Sequence, residues 1–120
     1  MPQITVDYSA VLAEGFDRPA FAKALHEEVV RTAAAKPEAC KTQFRPTADT
    51  VVGPDTEGHG IVHVTLGLLA GRSDDTKVTL TENVLELVRA HVKPSVGLAL
   101  HASAEVRDLD PSYRNFDAPQ

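Results

Sequence analysis

Residues 3–8 alternate strictly, with Ile4, Val6 and Tyr8 on one side and Gln3, Thr5 and Asp7 on the other, the two-residue period of a half-buried strand. After a connection over residues 9–16, Asp17 offers an N-cap oxygen and Pro19 falls in the first turn. Phe21, Leu25, Val29 and Thr32 then recur at helical spacing to about Ala35. Lys36-Pro37 ends that helix, because proline has no amide hydrogen to continue the ladder. Residues 40–45 alternate again, setting Cys40, Thr42 and Phe44 opposite Lys41, Gln43 and Arg45. Residues 46–60 hold two prolines, three glycines and several acids, the composition of a connecting hairpin or loop.

The pattern then starts over. Residues 61–69 read as a strand with Val62, Val64, Leu66 and Leu68 on one face, and Ala70-Gly71-Arg72 leads to a helix N-cap at Ser73 or Asp74. Val78, Thr81, Val84, Leu85, Val88 and Val92 make the helical stripe, Lys93-Pro94 stops it, and residues 98–106 alternate with Leu98, Leu100, Ala102 and Ala104 facing one way. Strand, helix, Lys-Pro stop and strand therefore occur twice, in halves of about 1–58 and 59–120, as a repeat of organisation rather than of letters. Each half is a β-α-β unit whose crossover helix implies a parallel strand pair. The predicted fold is an α/β two-layer sandwich in one domain over residues 1–120: four main strands with two helices on one face. The uncovered face of the second strand carries Lys41, Gln43 and Arg45, so association of subunits over it is expected.

Composition narrows the function. A chain of 120 residues that is 42% hydrophobic can bury a core without disulfides or metal. Its 12 basic and 17 acidic residues give a net charge of -5 with no basic run, which argues against a nucleic-acid partner. The single Cys40 excludes an intrachain disulfide and, alternating onto the apolar side of its strand, reads as core. No stretch has the length of a membrane span or the layout of a signal peptide, so a cytoplasmic protein with no membrane partner is expected. His59 and His63 lie four apart along a strand, too far to share a metal, and His26, His91 and His101 read as surface or rim positions. No metal and no cofactor are expected.

The candidate chemistry lies at Pro2. Removal of Met1 converts it from a tertiary amide into a secondary amine with a basic lone pair. The small residue after Met1 suits that cleavage.

Met-Pro running at once into a strand, His63-Val64-Thr65-Leu66 leading to Ala70-Gly71-Arg72-Ser73, Glu86-Leu87 on the second helix and a final segment from Pro111 to Asn115-Phe116 form one constellation. Over nearly the whole chain it resembles the tautomerase superfamily, and within it the 5-carboxymethyl-2-hydroxymuconate isomerases of aromatic catabolism. The resemblance implies a β-α-β repeat fold, a homotrimer, no cofactor, a small carboxylate substrate and the N-terminal proline as the group that moves the proton. It makes Arg72 the main carboxylate anchor, ahead of a helix N-terminus whose amides add favourable potential. Lys41 stands where the family has a substrate-binding arginine, keeping the charge and losing the planar fork. Gln43 stands at a second arginine position, with Arg45 on the same strand face as a possible compensation or an intersubunit ion pair. The segment between Pro111 and Phe116 is one residue longer than the family pattern. These departures also suit a hydratase, decarboxylase or dehalogenase of the same superfamily, and a blocked Pro2 would leave a non-catalytic oligomeric binding domain.

Overall fold

The computed structural model describes residues 2–119. Four strands, β1 (Gln3–Ser9), β2 (Lys41–Thr47), β3 (His59–Leu68) and β4 (Ala99–Asp108), form one sheet in the order β2-β1-β3-β4. β1 runs parallel to β2 and β3 parallel to β4, while β1 and β3 meet antiparallel at the centre. Two helices, α1 (Arg18–Ala33) and α2 (Asp74–His91), pack against each other over one side of that sheet. The β-α-β repeat and the shared helical face expected from the sequence are both present.

The alternation places the core. Ile4, Val6 and Tyr8 of β1 sit beside Val62, Val64 and Leu66 of β3, all buried under Phe21, Leu25 and Val29 of α1 and Leu80, Val84 and Val88 of α2. Tyr8, Phe16, Phe21 and Phe44 meet edge-to-face with centroids 5.5–6.4 Å apart, the favoured arrangement of aromatic quadrupoles. Asp17 caps α1, its carboxylate accepting from the Ala20 amide at 3.1 Å, and Ser73 caps α2 through the Thr76 amide at 3.1 Å.

Several boundaries and faces differ from the sequence reading. β2 runs on through Pro46 to Thr47, which an edge strand tolerates because the missing amide costs no ladder bond on its outer side. β3 begins two residues earlier, at His59, and β4 ends two later, at Asp108. On α2 the buried stripe runs through Leu80, whereas Val78 is 55% exposed. On α1 the buried set includes Glu28.

Candidate active site

Strand register gathers the candidate residues. Gln3 pairs with Lys41 on one side and Gly67 on the other, and Gly67 pairs with Arg107. The start of β1, the start of β2, the end of β3 and the end of β4 therefore share one end of the sheet. Pro2 is buried there, and its carbonyl accepts from the Lys41 amide at 3.2 Å. The loop carrying Arg72 leaves β3 at this same end, and the α1–β2 connection arrives at it.

Arg72 is held by backbone. Its Nε and Nη2 donate to the Ala33 carbonyl at 3.1 and 2.9 Å, and Nη1 donates to the Leu69 carbonyl at 2.9 Å. The first pair covers an end carbonyl of α1, where the chain turns out through Ala34 in the left-handed region, φ 56°. Of the five guanidinium hydrogens, two are left for another acceptor. The structure thus gives Arg72 the helix-capping contact and fixes its position on the backbone at the end of α1.

Lys41 is held loosely, its ammonium 3.4 Å from the Ala39 carbonyl and 3.9 Å from Asp117. Cys40 beside it is buried; burial pushes its thiol pKa up, against the nearby Lys41 charge, so it is a neutral core thiol. Gln43 lies one step along the open face, across from Thr5. Arg45 stands four residues from Lys41, about 13 Å along the strand, and its guanidinium forks onto Asp7 at 2.7 and 3.1 Å. That hydrogen-bonded pair holds the Asp7 carboxyl below its ordinary pKa. Lys41 is thus near Pro2 and Arg45 is not.

Four residues at this end had no assigned part in the sequence reading. Leu109 covers Gly67, where an added Cβ would come within 2.9 Å of its Cδ2. Tyr113 accepts from Gln3 Nε2 at 3.0 Å through its phenol oxygen, and Asp117 approaches Lys41. Arg107 adds a cation in the Gln3 row, paired with Glu105 at 2.5 Å. Only the 111–116 segment had drawn attention in the sequence, and its return across the sheet end is a tertiary fact with no local signal.

Residues 2–117 match the sequence profile of 5-carboxymethyl-2-hydroxymuconate isomerase. The chain belongs to this family, within the tautomerase superfamily. Among solved structures, this family member is similar to a 5-carboxymethyl-2-hydroxymuconate isomerase from Deinococcus radiodurans R1, with TM-score 0.79 and 16% identity over 97% of this chain and 90% of that one. It is similar to a 5-carboxymethyl-2-hydroxymuconate delta-isomerase at TM-score 0.80 and 13% identity, covering 98% and 89%. A fused 4-OT wild-type symmetric trimer follows at TM-score 0.75 and 19% identity, covering 95% and 90%. At these identities the structural likeness concerns the fold. A comparison with curated protein sequences gave no match.

Proposed function

We propose that this chain is a cofactor-independent isomerase that shifts a proton on 5-carboxymethyl-2-hydroxymuconate or a similar unsaturated 2-hydroxy or 2-oxo acid, with Pro2 as acid and base. Met1 lies outside the described residues, and the reading requires its removal. The Pro2 nitrogen then takes a proton from the conjugated skeleton and returns it at another carbon, so the reaction balances within one substrate and needs no co-reactant. An α-amino group ordinarily titrates at about 7.7–8.0. Prolyl amines are more basic, so burial beside Ile4 and the charges of Lys41 and Arg72 would favour the free amine.

The observation that carries this reading is the family match over residues 2–117 on a chain whose Pro2, Lys41 and Arg72 loop share one sheet end. Arg72, with two hydrogens free beside its Ala33 contact, is the main carboxylate anchor; Lys41 is a monodentate second cation and Gln43 a neutral donor beyond it. Arg45, committed to Asp7, stands at the margin of the site. The working form is a cytoplasmic homotrimer. Lys41 and Gln43 in place of arginines also favour a second reading: hydration, decarboxylation or dehalogenation of a small unsaturated acid at the same proline.

The test is the ultraviolet absorbance of 5-carboxymethyl-2-hydroxymuconate with wild type, verified by intact mass to lack Met1, beside Pro2→Ala. Turnover by wild type that falls about 100-fold in the variant is expected, because the variant's terminal amine is primary and no longer held by the pyrrolidine ring against the reacting carbon. No turnover by the processed protein would direct the assay to the second reading. Retained Met1 would leave the binding role.

A further inference from the structure

Residues 109–117 cross the Pro2 end of the sheet. One rung there runs through Lys41, Gln3, Gly67 and Arg107, from β2 across β1 and β3 to β4, and the C-terminal segment returns along it toward β2. The Leu109 amide donates to the Leu68 carbonyl at 2.7 Å while its side chain covers Gly67. A turn follows, with the Ser112 amide donating to the Asp110 carboxylate at 2.8 Å and the Tyr113 amide to the Asp110 carbonyl at 2.9 Å. The Tyr113 phenol oxygen accepts from Gln3 Nε2 at 3.0 Å, and Asp117 arrives beside Lys41.

Three strand cations each face a carboxylate, and the pairs are unequal. Arg45 forks onto Asp7 at 2.7 and 3.1 Å, and Arg107 meets Glu105 at 2.5 Å, both as hydrogen bonds between residues of the sheet itself. Lys41 stands 3.9 Å from Asp117, beyond hydrogen-bond reach, and Asp117 is 72% exposed. Such a solvated pair is a weak Coulomb contact. Among the described residues Asp117 is still the one carboxylate within 4.0 Å of the Lys41 ammonium, whose other contact is the Ala39 carbonyl at 3.4 Å. A ligand carboxylate that closes to hydrogen-bond distance on the ammonium gains a charge-assisted bond that Asp117 does not make, and so displaces it. The contacts of Arg72, by contrast, are neutral backbone carbonyls.

We infer that Asp117 is a specificity-determining residue: it occupies Lys41 until a ligand brings a second carboxylate to that ammonium. It therefore weakens every ligand that uses Lys41 and does not affect one held through Arg72 alone. The inference rests on the proposed reading of Arg72 and Lys41 as carboxylate anchors. Asp117 and Lys41 belong to different halves of the chain, so their meeting was not legible in the sequence.

The experiment is an NMR titration of glutarate, and separately of butyrate, into the full-length protein with isotope-labelled lysine, at about pH 7.5 where carboxylates are ionised. It is followed at the Lys41 side chain, assigned with Lys41→Ala, and at the Arg72 amide. Wild type is expected to bind glutarate at Lys41 and Asp117→Asn to bind it about 2- to 5-fold more tightly, the scale of an exposed ion pair. Asp117→Glu restores the wild-type affinity, and butyrate affinity is the same in all three proteins. In Lys41→Ala the further change Asp117→Asn has no effect on glutarate, an outcome that a merely structural role of the segment would not produce. Unchanged or weaker glutarate binding by Asp117→Asn, a gain that persists in Lys41→Ala, or no response of Lys41 to glutarate would overturn the inference. The readout is binding, so it separates the two proposals: a protein inert toward 5-carboxymethyl-2-hydroxymuconate that shows the expected glutarate series loses the isomerase reading and keeps the role of Asp117.

Discussion

Glu28 is the residue whose placement most departs from its chemistry. It is 2% exposed, on the inner side of α1, and its carboxylate accepts from Asn83 Nδ2 of α2 at 2.8 Å and from Arg31 and Thr32 of its own helix. Arg31 is largely solvated, so its charge is screened and the inter-helix bond to Asn83 gives the carboxylate its specific partner. Glu28→Ala removes the acceptor and leaves Asn83 and Thr32 unpaired at the helix interface; a loss of about 3 kcal/mol in urea unfolding is expected, with Glu28→Gln costing less. The helical spacing of Phe21, Leu25 and Val29 marked the buried stripe correctly, but a glutamate beside it reads as solvated until its partner on α2 is known. His26 is a parallel case. It sits 2.7 Å from the Thr42 hydroxyl and burial lowers its pKa, so it favours the neutral form in the folded protein.

At the scale of elements, the two β-α-β units are stitched where α1 begins and α2 ends. Phe16 bridges to Val92, the Lys93 amide donates to the Gly15 carbonyl at 2.8 Å, and the Asp17 amide donates to the His91 carbonyl at 3.4 Å. The backbones approach so closely that a Cβ on Gly15 would lie 1.9 Å from the Lys93 carbonyl oxygen. Gly15→Ala must push the two units apart, and a destabilisation of more than about 2 kcal/mol, read as a lowered thermal midpoint, is expected. The Lys-Pro steps after both helices were visible as stops in the sequence, and Asp17 and Ser73 as caps, because those signals act within one turn. The stitching contact was not, because it joins residues far apart along the chain.

The whole molecule is a slab with one bare side. Its radius of gyration is 15.1 Å, against about 13.6 Å for a compact domain of this length. The excess fits two layers rather than three, with Lys41, Gln43, Arg45, His63, Ser103 and Glu105 spread over the uncovered sheet face. Light scattering at micromolar concentration is expected to give three times the chain mass of 12.9 kDa; a mass of one chain would remove the homotrimer from the proposed function.

The sequence by itself determined the four main strands and two helices, most of the residues that face the core and that the order repeats, because alternation, helical spacing, caps and proline stops are properties of neighbours along the chain. Through the Met-Pro start and the His-Val-Thr-Leu to Ala-Gly-Arg-Ser block, it also pointed to the family. Tertiary structure alone decided the antiparallel meeting of β1 with β3, the gathering of Pro2, Lys41 and Arg72 at one sheet end, and the separation of Arg45 from them. It alone paired His59 with His101 and Glu28 with Asn83. Each of these depends on the register between strands or the packing of one helix on another, and such contacts are chosen by the fold as a whole rather than by any local run of residues.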